Sequence, residues 1–200
     1  MLSKEELVRS LVAARRNAVV VTTMSIVRTW GRYSNSDLDF ASADSAMGHS
    51  ADLALGIALA QPKRKVICLN GDGSMLMTLG SLATIVEARA ENLILLIVQN
   101  ETFEITGNQP IPAANRIDFS MLARGVGFKN CYNFDDVQRY EQTLDSILKQ
   151  KGPTFLTVKV ESGNEGPLSR GSTQEVAYLK PSLAESAHQL RETLLAERCF

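Results

Sequence analysis

Residues 66–110 read VICLNGDGSMLMTLGSLATIVEARAENLILLIVQNETFEITGNQP, and this stretch decides the fold of the chain. It opens with an apolar run that ends at Asn70, passes through a Gly-Asp-Gly-Ser turn, and returns in a second apolar run that ends just before Asn100. The 26 residues between Gly73 and Asn100 are about what one helix and one returning strand require. Such strands are parallel neighbours in an open α/β sheet, so the turn and Asn100 should meet at its carboxyl edge.

The Gly-Asp-Gly-Ser turn has the composition of an anion site with one unusual feature. At the carboxyl edge of such a sheet, helix N-termini offer unpaired N–H groups, and glycines let the backbone approach a phosphate closely. The carboxylate of Asp72 would repel that phosphate unless a divalent cation coordinates both. Asp-Gly is also common in plain turns, but the matched position of Asn100 favours a metal site. Carboxylate, amide and carbonyl oxygens suit Mg²⁺ or Ca²⁺, so the turn predicts a metal-bridged diphosphate.

Apolar runs elsewhere in the chain predict a larger sheet. Buried parallel strands are expected at 18–23, 65–70, 93–99 and 154–160. Helical periodicity is expected from Ser3 and at 46–61, 74–90, about 118–125 and 135–150. This alternation indicates an open, doubly wound, mostly parallel α/β sheet with helices on both faces, at residues 1–162. Residues 163–200 are expected to form a linker and a C-terminal helix that docks a partner chain or acts as a lid.

The composition argues against several classes of protein. Two hundred residues, 44% of them hydrophobic, suffice for one buried domain, and we expect no second full domain. A formal charge of -1 gives no broad positive potential that would attract nucleic acid or an anionic membrane. Three distant cysteines, Cys68, Cys131 and Cys199, lack the spacing of a disulfide framework, a zinc site or an iron-sulfur cluster. No apolar run is long enough to span a membrane, and we expect a cytoplasmic protein.

The turn and its matched asparagine resemble the signature of thiamine-diphosphate-dependent enzymes, in which GDG is followed by asparagine at a similar distance. The resemblance implies that Mg²⁺ is bound by the Asp72 carboxylate, the Asn100 side chain and the carbonyl of Thr102. It assigns the diphosphate to the turn residues Gly71, Gly73 and Ser74. The family usually has two consecutive asparagines, and since the second is the ligand, the glutamine that precedes Asn100 leaves the predicted ligand set intact.

A second segment, Ser45-Ala46-Met47-Gly48, resembles the aminopyrimidine loop of that family. The resemblance implies that Met47 supports the bent cofactor and bonds a ring nitrogen through its N–H, while the carbonyl of Ser45 accepts the exocyclic amine. His49 lies inside this cofactor loop and is a candidate for proton transfer, with a structural role, or one that acts through a neighbouring residue, as the alternative. Thr106 is a candidate to face the substrate, or else only to hold its own loop.

The segments MGHSADLALGIALA, GDGSMLMTLGSLATI and ITGNQ are most similar to sulfopyruvate and phosphonopyruvate decarboxylases. Thr106 fits that branch, because larger branches have a glutamate six residues after the metal-binding asparagine. The resemblance implies decarboxylation of a small anionic 2-oxo acid. It also implies a dimer or larger hetero-oligomer, since the glutamate that contacts the pyrimidine ring belongs to a second domain, which a separately encoded pyrimidine-binding subunit would supply.

Four alternatives stay open at this point. One is an acetolactate-synthase-like carboligase component, and another is a regulatory subunit that binds the cofactor without turnover. A 2-oxoacid:ferredoxin oxidoreductase subunit is less favoured because it would normally carry cysteines for electron relay. A nicotinamide-binding domain is less favoured because GxGxxG is absent.

Overall fold

A six-stranded parallel sheet forms the centre of the computed structural model, which describes residues 1–41 and 47–196. Its strands are β1 (Val19–Thr22), β2 (Asp39–Ala41), β3 (Val66–Gly71), β4 (Leu93–Gln99), β7 (Asn130–Phe134) and β8 (Thr154–Lys159). They lie in the order β2-β1-β3-β4-β8-β7, and each neighbouring pair is parallel. A short antiparallel hairpin of β5 (Thr102–Phe103) and β6 (Gln109–Pro110) follows β4.

Helices cover both faces of the sheet, as a doubly wound fold requires. They are α1 (Lys4–Ala14), α2 (Ile26–Tyr33), α3 (Ser50–Ala60), α4 (Asp72–Met77), α5 (Ser81–Ala88), α6 (Phe119–Val126), α7 (Val137–Lys149) and α8 (Leu183–Ala196). Successive strand side chains point to opposite faces, so Val19 and Val21 join one buried cluster and Val20 joins the other. The first cluster includes residues of α3, α5, α6 and α8, and the second includes residues of α1, α2 and α7.

The predicted α/β architecture is confirmed, with corrections to individual elements. β1, β3, β4 and β8 lie where apolar runs predicted strands, but β2, β7 and α2 were not predicted. The single helix predicted at 74–90 is wrong, because α4 ends at Met77 and α5 begins at Ser81. A tertiary contact lies at the break: Thr78, the C-cap of α4, has a non-helical backbone, and its hydroxyl donates to the carbonyl of Gly48. The helix predicted at 46–61 begins at Ser50.

The C-terminal segment packs against the sheet domain. Leu190 and Leu194 of α8 are buried in the same cluster as Phe40 of β2. Before α8, the hydroxyl of Tyr178 lies 2.8 Å from the Thr22 hydroxyl and donates to the carbonyl of Val27 at 2.8 Å. Within residues 1–41 and 47–196, no helix combines the length and apolar character that crossing a membrane requires.

Candidate functional site

The carboxyl ends of β3 and β4 bring the Gly-Asp-Gly-Ser turn and Asn100 together. The two strands are paired in register from Val66 with Leu93 to Gly71 with Val98, so the segments that follow them leave the sheet at the same level. Asp72 is the first residue of α4 and is only 1% exposed. The contact between the two segments is direct, because the backbone N–H of Glu101 donates to Asp72 Oδ2 at 2.6 Å.

The Asp72 carboxylate is buried with two backbone donors and no cation beside it among the described residues. Its Oδ1 accepts the N–H of Gly73 at 2.7 Å, and its Oδ2 accepts that of Glu101. Burial raises the pKa of Asp72 to about 6, although the hydrogen bonds from Glu101 and Gly73 oppose the rise. The ionised form is therefore costly in this place, and a divalent cation would offset that cost.

Asn100 presents its amide oxygen and amide nitrogen to different partners. Its Nδ2 donates to Glu104 Oε2 at 2.8 Å, while its Oδ1 accepts the N–H of Thr102 at 3.2 Å. Among residues 1–41 and 47–196, no cluster of three or more His, Cys, Asp or Glu side chains could hold a metal. The set implied by the family resemblance has a different chemistry, in which Asp72 supplies one carboxylate and Asn100 and Thr102 supply an amide and a carbonyl oxygen. These hard oxygen donors fit Mg²⁺.

The turn borders a cleft of about 510 Å³, part of it open to solvent. A Cβ atom added to Gly73 would lie 2.5 Å from Phe103 Cε1, so only glycine lets the turn pack against β5. A Cβ added to Gly71 would meet only the Cβ of Ser74, at 4.0 Å, so the space beside Gly71 is open. This open space next to the N-terminus of α4 fits a bulky anion such as a diphosphate.

The predicted aminopyrimidine loop touches the turn where the structure describes it. Met47 lines the cleft together with Ser74. The N–H of Gly48 donates to Ser74 Oγ at 2.9 Å, and Gly48 has a φ of 87°, which favours glycine. Because the Ser74 hydroxyl accepts this bond through its oxygen, its O–H can still donate to a ligand. Ser45 lies outside the described residues.

The two predicted catalytic side chains lie in different surroundings. The His49 side chain is 69% exposed, its Nδ1 lies 3.3 Å from Asp52 Oδ2, and it is not among the residues that line the cleft. Thr106 does line the cleft. Its hydroxyl lies 3.2 Å from the Phe103 carbonyl and 3.1 Å from Gln109 Oε1, contacts that hold the hairpin loop together. Both catalytic roles stay predictions.

Glu104 is a residue of this site that the sequence analysis missed. It lines the cleft, is 4% exposed, and forms an ion pair with Lys4 at 2.6 Å. An acidic residue four positions after Asn100 was visible in the sequence. Its partner Lys4 is 100 residues away, so no local pattern could have linked the two.

Known proteins similar to this chain include the sulfopyruvate decarboxylase subunit beta of Methanothermobacter thermautotrophicus, 39% identical over 119 residues, which are 60% of this chain and 60% of that protein. The phosphonopyruvate decarboxylase of Streptomyces hygroscopicus is 32% identical over 157 residues, which are 78% of this chain and 38% of the relative. The chain therefore spans less than two thirds of the length of these relatives.

Solved structures show the same fold at lower identity. The benzoylformate decarboxylase from Polynucleobacter necessarius superposes with a TM-score of 0.69 at 19% identity, over 82% of this chain and 34% of that chain. The thiamine diphosphate-dependent 4-hydroxybenzoylformate decarboxylase of Rhodococcus jostii RHA1 has a TM-score of 0.66 at 21% identity, over 82% of this chain and 33% of that chain. The family profile "Thiamine pyrophosphate enzyme, C-terminal TPP binding domain" matches residues 21–158. The chain belongs to this family.

Proposed function

We propose that this chain is the diphosphate- and Mg²⁺-binding subunit of a thiamine-diphosphate-dependent decarboxylase. The observation that carries the proposal is the buried Asp72 carboxylate, whose pKa is raised to about 6, at the N-terminus of α4 and beside the chain that follows β4. A buried anion at a place suited to bind another anion makes chemical sense if a divalent cation joins them. Membership of the family supports thiamine diphosphate as the source of the second anion.

Each part of the turn has a distinct role in this proposal. Asp72, the Asn100 amide oxygen and the Thr102 carbonyl hold Mg²⁺, and the remaining positions are left for phosphate and water. The open space beside Gly71 admits the diphosphate, Gly73 keeps the turn against β5, and the Ser74 hydroxyl donates to a phosphate oxygen. Met47 lies at the cleft and supports the pyrimidine end. When bound, thiamine diphosphate supplies the nucleophilic carbon and the electron sink that loss of carbon dioxide requires.

The proposed substrate is a small anionic 2-oxo acid of the sulfopyruvate or phosphonopyruvate type. Similarity to a sulfopyruvate decarboxylase subunit beta and to phosphonopyruvate decarboxylases supports this class. The name of these relatives, sulfopyruvate decarboxylase subunit beta, also supports a second, separately encoded chain, which would bind the pyrimidine ring and complete the active site. The proposed enzyme is therefore a hetero-oligomer. We place it in the cytoplasm as part of the same proposal.

Binding of the cofactor tests the site directly. Isothermal titration of the chain with thiamine diphosphate should show binding that requires Mg²⁺. Asp72→Ala should abolish it, whereas Asp37→Ala, which removes an exposed carboxylate, should not. Equal binding by wild type and Asp72→Ala would contradict the proposal.

Turnover tests the proposed partner and reaction. The chain alone with cofactor, Mg²⁺ and sulfopyruvate should release no carbon dioxide, and the complex with the pyrimidine-binding chain should. Robust turnover by the chain alone would contradict the need for a partner. Unchanged rates in a complex that carries Asp72→Ala would instead favour a regulatory subunit, and a product with a new carbon–carbon bond would favour carboligation.

A further inference from the structure

The Glu104 carboxylate, which lines the cleft, accepts four hydrogen bonds. Its Oε1 accepts Lys4 Nζ at 2.6 Å and the backbone N–H of Glu165 at 3.1 Å. Its Oε2 accepts Lys4 Nζ at 2.8 Å and Asn100 Nδ2 at 2.8 Å. These four donated bonds match the number of acceptor positions that a carboxylate offers.

These contacts determine which way the Asn100 amide points. An ionised carboxylate can only accept, so the amide group that faces Glu104 must be the NH₂. The backbone N–H of Thr102 can only donate, so the group that faces it must be the oxygen. Both neighbours therefore require the same orientation, in which Oδ1 is turned away from Glu104. A reversed amide would place a donor against Thr102 and an acceptor against Glu104.

We infer that Glu104, held by Lys4, is a positioning residue that turns the Asn100 amide oxygen toward the metal. This role rests on the proposed function of Asn100 as a metal ligand. Metal affinity depends on such outer contacts because a ligand that can rotate presents its donor atom only part of the time. An amide is more sensitive than a carboxylate, since rotation replaces its oxygen with an NH₂ that cannot bind a cation.

The N-terminal segment connects the Lys4–Glu104 ion pair to the sheet. Leu2 pairs with Val160 in an isolated parallel bridge and is 1% exposed, which anchors the chain just before Lys4. From there the Lys4 side chain reaches a buried ion pair with Glu104. Gly163 packs closely against this ion pair, since an added Cβ would lie 2.4 Å from Glu104 Oε1 and 2.9 Å from Lys4 Nζ. The first turn of α1 thus contacts Glu104 in the proposed cofactor site, 100 residues later in the sequence than Lys4.

Glu104→Gln tests the inference in the full chain. The backbone N–H of Glu165 keeps the glutamine oxygen at the position of Oε1. The new NH₂ would then face the NH₂ of Asn100, and the amide of Asn100 would rotate to relieve the repulsion. The probe is Mn²⁺, and its binding to the protein is measured by equilibrium dialysis in the presence of thiamine diphosphate. The dissociation constant for Mn²⁺ should rise about 10- to 100-fold, with the circular dichroism spectrum unchanged. Glu161→Gln, the same change at an exposed position, should leave it as in wild type.

A double variant separates orientation from general damage to the fold. In Glu104→Gln with Asn100→Asp, the glutamine NH₂ donates to one oxygen of the new aspartate, and the other oxygen can face the metal. The net charge of the pair is the same as in wild type. Mn²⁺ binding should recover relative to Glu104→Gln alone, and no recovery would overturn the inference.

The outcomes also distinguish the inference from the proposed function. Wild-type affinity in Glu104→Gln, with Mn²⁺ binding lost in Asp72→Ala, would refute the positioning role and leave the metal site in place. Equal Mn²⁺ binding by wild type and Asp72→Ala would remove the metal site itself, and the positioning role with it.

Discussion

The buried Asp72 carboxylate should make the stability of the cofactor-free chain fall as the pH rises. Its pKa is 3.8 in an ordinary setting and about 6 in the folded chain. Between these values the folded state holds a proton that the unfolded state has lost, so the free energy of unfolding decreases as pH rises through this range. The difference between the two pKa values, at about 1.4 kcal/mol per pH unit, corresponds to about 3 kcal/mol at pH 8.

Asp72→Asn removes this titration and leaves a side chain of nearly the same size. Urea unfolding of both proteins, followed by circular dichroism at pH 4.5 and pH 7.5, should show wild type losing about 2 kcal/mol more than the variant over that interval. At pH 7.5, Mg²⁺ with thiamine diphosphate at 100 times its dissociation constant should stabilise wild type by about 2.7 kcal/mol and leave the variant unchanged. Parallel pH profiles for the two proteins would refute the reasoning.

Three further substitutions probe the packing of the site. Gly73→Ala should destabilise the chain by about 1 to 3 kcal/mol in urea unfolding, because the new Cβ would lie 2.5 Å from Phe103. Gly71→Ala should leave the unfolding midpoint unchanged, since its Cβ enters open space. It should weaken the affinity for thiamine diphosphate with Mg²⁺, measured by titration, about tenfold or more. Equal behaviour of the two alanine variants would contradict this difference. Lys4→Met leaves the buried Glu104 carboxylate without its cation and should cost about 3 to 5 kcal/mol of unfolding free energy, so an unchanged midpoint would count against the ion pair.

The parts of the fold and site that depend on local pattern could be predicted. Apolar runs correctly indicated four parallel strands, because strands covered on both faces carry few polar side chains. The meeting of the Asp72 turn and the Asn100 segment at one edge of the sheet was predicted from spacing, since the helical segment and the strand between them return the chain to the same level. The glycine turn could also be predicted. The structure supplies a reason for the glycine at position 73, which is its close packing against Phe103.

What depends on tertiary contact could not be predicted. The edge strand β7 reads NCYNF, with polar residues that give no clear apolar run, and β2 has only three residues. The helical pattern at 74–90 predicted one helix, yet the structure has two, and the contact of Thr78 with the distant Gly48 lies where they separate. The contact of Lys4 with Glu104 joins positions 100 residues apart, and Leu2, which precedes Lys4, is anchored beside Val160 by a contact that is also distant in sequence.

The most direct measurement is a crystal structure of the chain grown with Mn²⁺ and thiamine diphosphate, with the metal located by its anomalous signal. We expect one peak at the carboxyl edge of β3 and β4, about 2.1 Å from oxygen atoms of Asp72, Asn100 and Thr102 and from the diphosphate. A metal bound elsewhere, or a diphosphate that lies away from the turn at 71–74, would contradict the proposal that a cation joins the buried carboxylate to the cofactor.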